Sequence, residues 1–76
     1  MNKNVFKKKF EKAIKKKWLS DIPKVSVELN TGERVVATDY TIYDFGNLTL
    51  VKLKYEGLGS ENYEYEVLLR DIVDVY

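Results

Sequence analysis

Residues 25 to 50 read V-S-V-E-L-N-T-G-E-R-V-V-A-T-D-Y-T-I-Y-D-F-G-N-L-T-L, and the fold turns on how this stretch is parsed. Val25, Val27 and Leu29 alternate with Ser26, Glu28 and Asn30, the period-two pattern of a half-buried strand. Asn30-Thr31-Gly32 then predicts a short hairpin loop, with Gly32 as its left-handed residue. A second strand is expected over residues 34 to 43. Its apolar phase changes between Val35/Ala37 and Tyr40/Ile42, which a bulge or sharp bend produces. Asp44-Phe45-Gly46 reads as the next turn. The third strand, residues 47 to 55, changes phase as well, from Leu48 and Leu50 to Val51, Leu53 and Tyr55. Two bent strands in a short chain predict a small barrel rather than a flat sheet.

The flanking segments extend this pattern. Toward the C-terminus, residues 57 to 62 read as a flexible hairpin tip. Tyr63, Tyr65, Val67 and Leu69 alternate with Asn62, Glu64, Glu66 and Leu68 as a fourth strand, Arg70-Asp71 makes a tight connection, and residues 72 to 76 form a short fifth strand. Toward the N-terminus, Phe6, Phe10, Ala13, Ile14 and Trp18 recur at spacings of three and four and predict an amphipathic helix over residues 4 to 19. Asn2 or Asn4 can cap it, and Pro23 stops it. Lys17 falls within the apolar stripe and is expected to lay its stem there with its ammonium in water.

The 76 residues allow one domain, with the helix over residues 4–19 and the strands over residues 24–76. The chain has no cysteine, and no apolar run approaches the roughly 20 residues of a membrane span. These features predict a soluble, cytoplasmic protein with no membrane partner. The formal net charge of +1 conceals a split: residues 1 to 19 hold eight lysines against Glu11 alone, whereas residues 20 to 76 hold five basic and eleven acidic residues. A basic arm on an acidic body is the implied arrangement.

In this register the chain resembles the Sm-like proteins. Leu29-Asn30-Thr31-Gly32, followed by Asn47-Leu48-Thr49-Leu50, is similar to that family's first motif, and Leu68-Leu69-Arg70-Asp71-Ile72-Val73 is similar to its second. The resemblance implies a mainly β fold with one helix: a small five-stranded, bent, antiparallel SH3-like barrel capped by an N-terminal amphipathic helix. It also implies that Phe45 stacks on a base, Asn47 reads its edge, and Arg70 lies on the far face or contacts phosphate. Tyr43 stands where RNA-binding members carry Asp, Ala37 replaces a common glycine, and Asp71 follows Arg70 where the family has glycine. In outline the chain is also similar to the Rof family, acidic Sm-like inhibitors of the Rho termination factor.

Without histidine or cysteine, no Ser-His-Asp triad, Cys-His pair or His-based metal site can be assembled. No Asp-x-Asp loop serves calcium or magnesium, and Gly46, Gly57 and Gly59 do not form a phosphate loop before a helix. A non-enzymatic binding module with no cofactor is expected. Its first candidate surface is Lys7, Lys8, Lys9, Lys12, Lys15 and Lys16 on the helix, which would contact nucleic-acid phosphates. Two other readings compete with it: a solvated helix face, and neutralisation against the protein's own acidic strands. Phe45, Asn47 and Arg70 form the second candidate, with turn formation as the plainer role for Phe45 and Asn47. Tyr63, Tyr65 and Tyr76 are expected to pack and cover edges. The alternative function is protein interaction or inhibition through an acidic face (Glu28, Glu64, Glu66) or a free strand edge. The last strand either closes the barrel against the first or joins chains into a homo-oligomer.

Overall fold

The computed structural model describes residues 1–17, 19–57, 59 and 61–76. Trp18 of the predicted apolar stripe, and Leu58 and Ser60 of the predicted hairpin tip, lie outside the described residues. The elements are α1 (Lys3–Lys16), β1 (Val25–Leu29), β2 (Arg34–Ala37), β3 (Asp39–Phe45), β4 (Leu48–Glu56), β5 (Asn62–Leu68), a 3₁₀ turn (Leu69–Asp71) and β6 (Ile72–Val75).

Helix α1 forms where the three-and-four spacing places it. Asn2 is its cap, accepting the Val5 N–H at 2.8 Å. Phe6, Phe10 and Ala13 are buried, and burial of each phenyl contributes about 1.5–3 kcal/mol. The helix ends earlier than predicted. Lys17 already has non-helical dihedrals, and its ammonium donates to the Lys24 carbonyl (2.5 Å) and the Tyr76 backbone oxygen (3.0 Å). The ammonium, expected to sit in water, does more at its surface position: it ties the helix end to the start of β1 and the end of β6.

The expected second strand is two strands. β2 and β3 are separated by Thr38, whose N–H donates to the Lys54 carbonyl at 2.8 Å while its hydroxyl accepts the Glu56 N–H at 3.0 Å. The phase change between Ala37 and Tyr40 thus marks a true corner. The phase change in the third strand does not. β4 pairs with β3 and β5 in unbroken register, from Asp39↔Lys54 to Phe45↔Leu48 and from Leu50↔Leu68 to Glu56↔Asn62. Val51, Leu53 and Tyr55 face the core, while Leu48 and Leu50 lie on the outer sheet face. Apolar residues on both faces, and not a bend, produced the apparent shift. Phe45 is likewise a strand residue; the turn is Gly46-Asn47, with Gly46 at φ 70°.

The strands form two antiparallel three-stranded sheets, ordered β2-β1-β6 and β3-β4-β5. This corrects the expected closed five-stranded barrel: the described residues form six strands, and the sheets remain open. A shared core fills the space between them, with Val25, Val27, Leu53, Ile72 and Val51 among its fully buried side chains. On one side, α1 bridges the gap between edge strands β6 and β3. It packs on β1 and β6, and Phe6 and Phe10 both meet the Tyr40 ring edge-on, at 4.9 and 4.7 Å. On the other side, β5 reaches β2 and the residue before it through tyrosine hydroxyls: Tyr63 donates to the Val36 carbonyl (2.6 Å) and Tyr65 to Glu33 (3.1 Å). The terminal strand β6 pairs with β1, with a register shift between Glu28 and Leu29, and forms the edge of its sheet.

Candidate nucleic-acid interface

Because α1 buries the stripe of Phe6, Phe10 and Ala13, its lysines are distributed over the flanks and the outward side. Some are consumed by the protein itself. Lys3 bridges to Asp44 on β3 at 2.6 Å, and Lys9 to Asp74 on β6 at 3.0 Å; Lys15 pairs with Glu11 one helical turn earlier at 2.9 Å. These two carboxylates are held below the usual aspartate value, Asp44 by the hydrogen bonds from Lys3 and then Thr49, and Asp74 by those from Lys9 and then the Val75 N–H. The Lys9 contact has a local reason. Asp74 stands directly opposite Glu28 across the β1–β6 pair, and like charges in that position repel. Lys9 on one side and Arg34, opposite Glu28 on β2, on the other compensate them.

Neutralisation is thus real but partial. Among the described residues, Lys7, Lys8, Lys12 and Lys16 have no carboxylate within 4.0 Å, and all four are exposed. The predicted lysines are divided by geometry. Lys9, Lys12 and Lys16 follow one another along a single flank, and with Lys17 they line a cleft of about 470 Å³ between α1 and β6. Val75, Ala13 and Tyr76 complete its walls. Lys7, Lys8 and Lys15 lie outside it.

The second predicted cluster is brought together in part. Asn47 and Arg70 line one cleft of about 280 Å³ with Met1, Leu48 and Leu69. Phe45 is not among its lining residues. It is 63% exposed on the outer face of the second sheet, stacked on Tyr43 with ring centroids 6.4 Å apart, and paired across the turn with Leu48. The three acidic residues do not share a face: Glu28 lies on the first sheet, and Glu64 and Glu66 lie on the second, where Lys52 approaches both at 3.5 and 3.9 Å.

Sequence reasoning missed Tyr76 and Val75 as cleft walls. Alternation in the last strand assigns them opposite faces, but nothing local shows that this edge lies beside the lysine flank. It also missed the outer apolar patch of Tyr43, Phe45 and Leu48, having spent Leu48 on a bend. Among the described residues, no helix is long and apolar enough to cross a membrane. Comparison of the chain with protein-family models, with curated proteins and with solved structures yields no match.

Proposed function

We propose that this protein is a small non-enzymatic module that binds nucleic acid, in an RNA-associated role, through the basic side of α1. The observation that carries this reading is the set of exposed ammoniums on Lys7, Lys8, Lys12 and Lys16, left without carboxylate partners although the strands below are acidic. Electrostatics alone would favour folding more of these charges onto the body. Ammoniums held outward along a rigid helix suit a polyanion, whose bound counterions are released as each phosphate is contacted. The Sm-like register, and the meeting of Asn47 with Arg70, support the same class of ligand.

The test is affinity for single-stranded RNA and DNA as a function of salt, in the wild type and in a variant with Lys7, Lys8, Lys12, Lys15 and Lys16 all changed to Gln. Lys3, Lys9 and Lys17, which hold the helix in place, are kept. Binding that weakens steeply with salt and collapses in the variant supports the reading. No binding near 50 mM salt, or an unchanged variant, removes it.

A second reading is favoured by one separate observation. Tyr43, Phe45 and Leu48 form an exposed apolar patch on the outer face of the second sheet, a surface that suits a protein partner. Tyr43→Ser with Phe45→Ser, neither of which lines the Asn47–Arg70 cleft, would abolish a protein complex captured at high salt while leaving nucleic-acid affinity untouched.

A further inference from the structure

We infer that the cleft between α1 and β6 is a subsite for one unpaired strand, in which Lys12 and Lys16 take successive phosphates and a base stacks on the Tyr76–Arg34 pair. This rests on the nucleic-acid reading above and adds to it a preference for single strands over duplex. Three features of the cleft carry the inference.

The first is its charge. Of the four ammoniums around it, Lys9 is held by Asp74, and Lys17 by two backbone oxygens. Lys12 and Lys16 remain, one helical turn apart on the same ridge, at a Cβ spacing of about 5–6 Å. Two equal charges repeated along a line match a ligand whose anions repeat along a line. The second is its lining. Ala13, Val75 and Tyr76 are apolar or aromatic, so the cleft suits a ligand with a flat unionised part next to each anion. A duplex hides those parts in its stack, whereas a single strand offers them.

The third is the arrangement of Tyr76. The Arg34 guanidinium lies over its ring, 5.2 Å from the centroid, and its hydroxyl reaches Glu28 at 3.5 Å. Tyr76 is 40% exposed, and these contacts hold its ring in position before any ligand arrives. Aromatic rings are surfaces on which unpaired bases stack; Arg34 lies outside the cleft lining and backs one face of this ring, which leaves the other face to a base. β6 is also an edge strand, and among the described residues no further strand pairs with its outer side.

The experiment compares three ligands of equal length: a single-stranded oligonucleotide, its duplex, and an abasic strand with the same phosphates. Each is titrated against the wild type, Tyr76→Leu, Lys12→Gln/Lys16→Gln, and the charge-matched control Lys7→Gln/Lys8→Gln. Circular dichroism melts verify that each variant is folded. The wild type should bind the single strand best and lose about 5- to 150-fold on the abasic strand, the range for one base–aromatic stack. Tyr76→Leu should lose a similar factor on the normal strand and little on the abasic one. Lys12→Gln/Lys16→Gln should reduce the slope of log affinity against log salt by about 1.4, since each phosphate contact contributes about 0.7 on single strands, and should lose more affinity than the control. Equal affinity for duplex and single strand, no abasic penalty in the wild type, or equal losses in the two lysine variants would overturn the inference while leaving nucleic-acid binding intact. If the wild type binds none of the three ligands, the broader reading falls with it. The abasic comparison in the wild type decides the matter even if Tyr76→Leu does not fold.

Discussion

The two gaps between the sheets are closed by different chemistry. On the β6/β3 side the closure is a helix: two phenyl rings against Tyr40, with Lys3 and Lys9 bridging to Asp44 and Asp74. On the β2/β5 side it is a pair of tyrosines, Tyr63 and Tyr65, donating hydroxyl protons across the gap. The first closure is mainly burial with charge at its margins. The second is mainly hydrogen bonding at half-exposed positions. The difference shows why the ligand reading belongs to the helix side. A helix that closes a gap with one stripe leaves its remaining faces free to carry charge, whereas side chains that reach across a gap are used up by it.

The sharpest way to break the comparison is Phe10→Ala. It should destabilise the protein by about 3–5 kcal/mol, a large fraction of what so short a chain can hold, and urea titration would measure it. A loss as small as that from a surface change would mean the helix does not close the gap. Next comes Tyr63→Phe, which removes only the bond to the Val36 carbonyl. A loss of about 1 kcal/mol is expected from the same titration, and no loss at all would make the tyrosine closure decorative.

Acid separates the two sides further. Asp44 and Asp74 titrate below the ordinary aspartate value of 3.8 in the folded state, so their contribution is complete above that value and is lost as pH falls through the lowered values. Thermal melts should therefore show a small acid loss belonging to the helix side, and Asp44→Asn/Asp74→Asn should flatten it. At alkaline pH the sign reverses. Burial, above all, raises Tyr63 and Tyr40, and the bond to Glu33 raises Tyr65, above the ordinary 10.0; their contribution is lost as pH rises through those values, on both sides together. The smallest effect should come from Lys8→Gln, within about 0.5 kcal/mol, since nothing in the fold uses this exposed ammonium.

Much of the architecture was legible in local pattern. The helix, its Asn2 cap, the Gly32 turn and the alternation of β1 all depend on neighbours within about four residues, where spacing and backbone geometry decide. The corner at Thr38 showed as a phase change. The same signal misled in β4, because an apolar residue on an outer face and one displaced by a bend leave the same trace. Of the candidate site, lysine content and helical spacing were legible. Which lysines are free was not, since Asp44 and Asp74 lie 41 and 65 residues from Lys3 and Lys9.

By itself, then, the sequence determined a mainly β chain with one basic amphipathic helix, and it withheld the usual thiol and imidazole groups of catalysis. The tertiary structure alone decided that the sheets stay open, that a helix and two tyrosines span the gaps between them, and that Tyr76 stands beside Lys12 and Lys16. The reason is range. Periodicity and turn chemistry act along the chain, whereas the pairing of charges and the walls of a cleft depend on which distant segments the common core draws together.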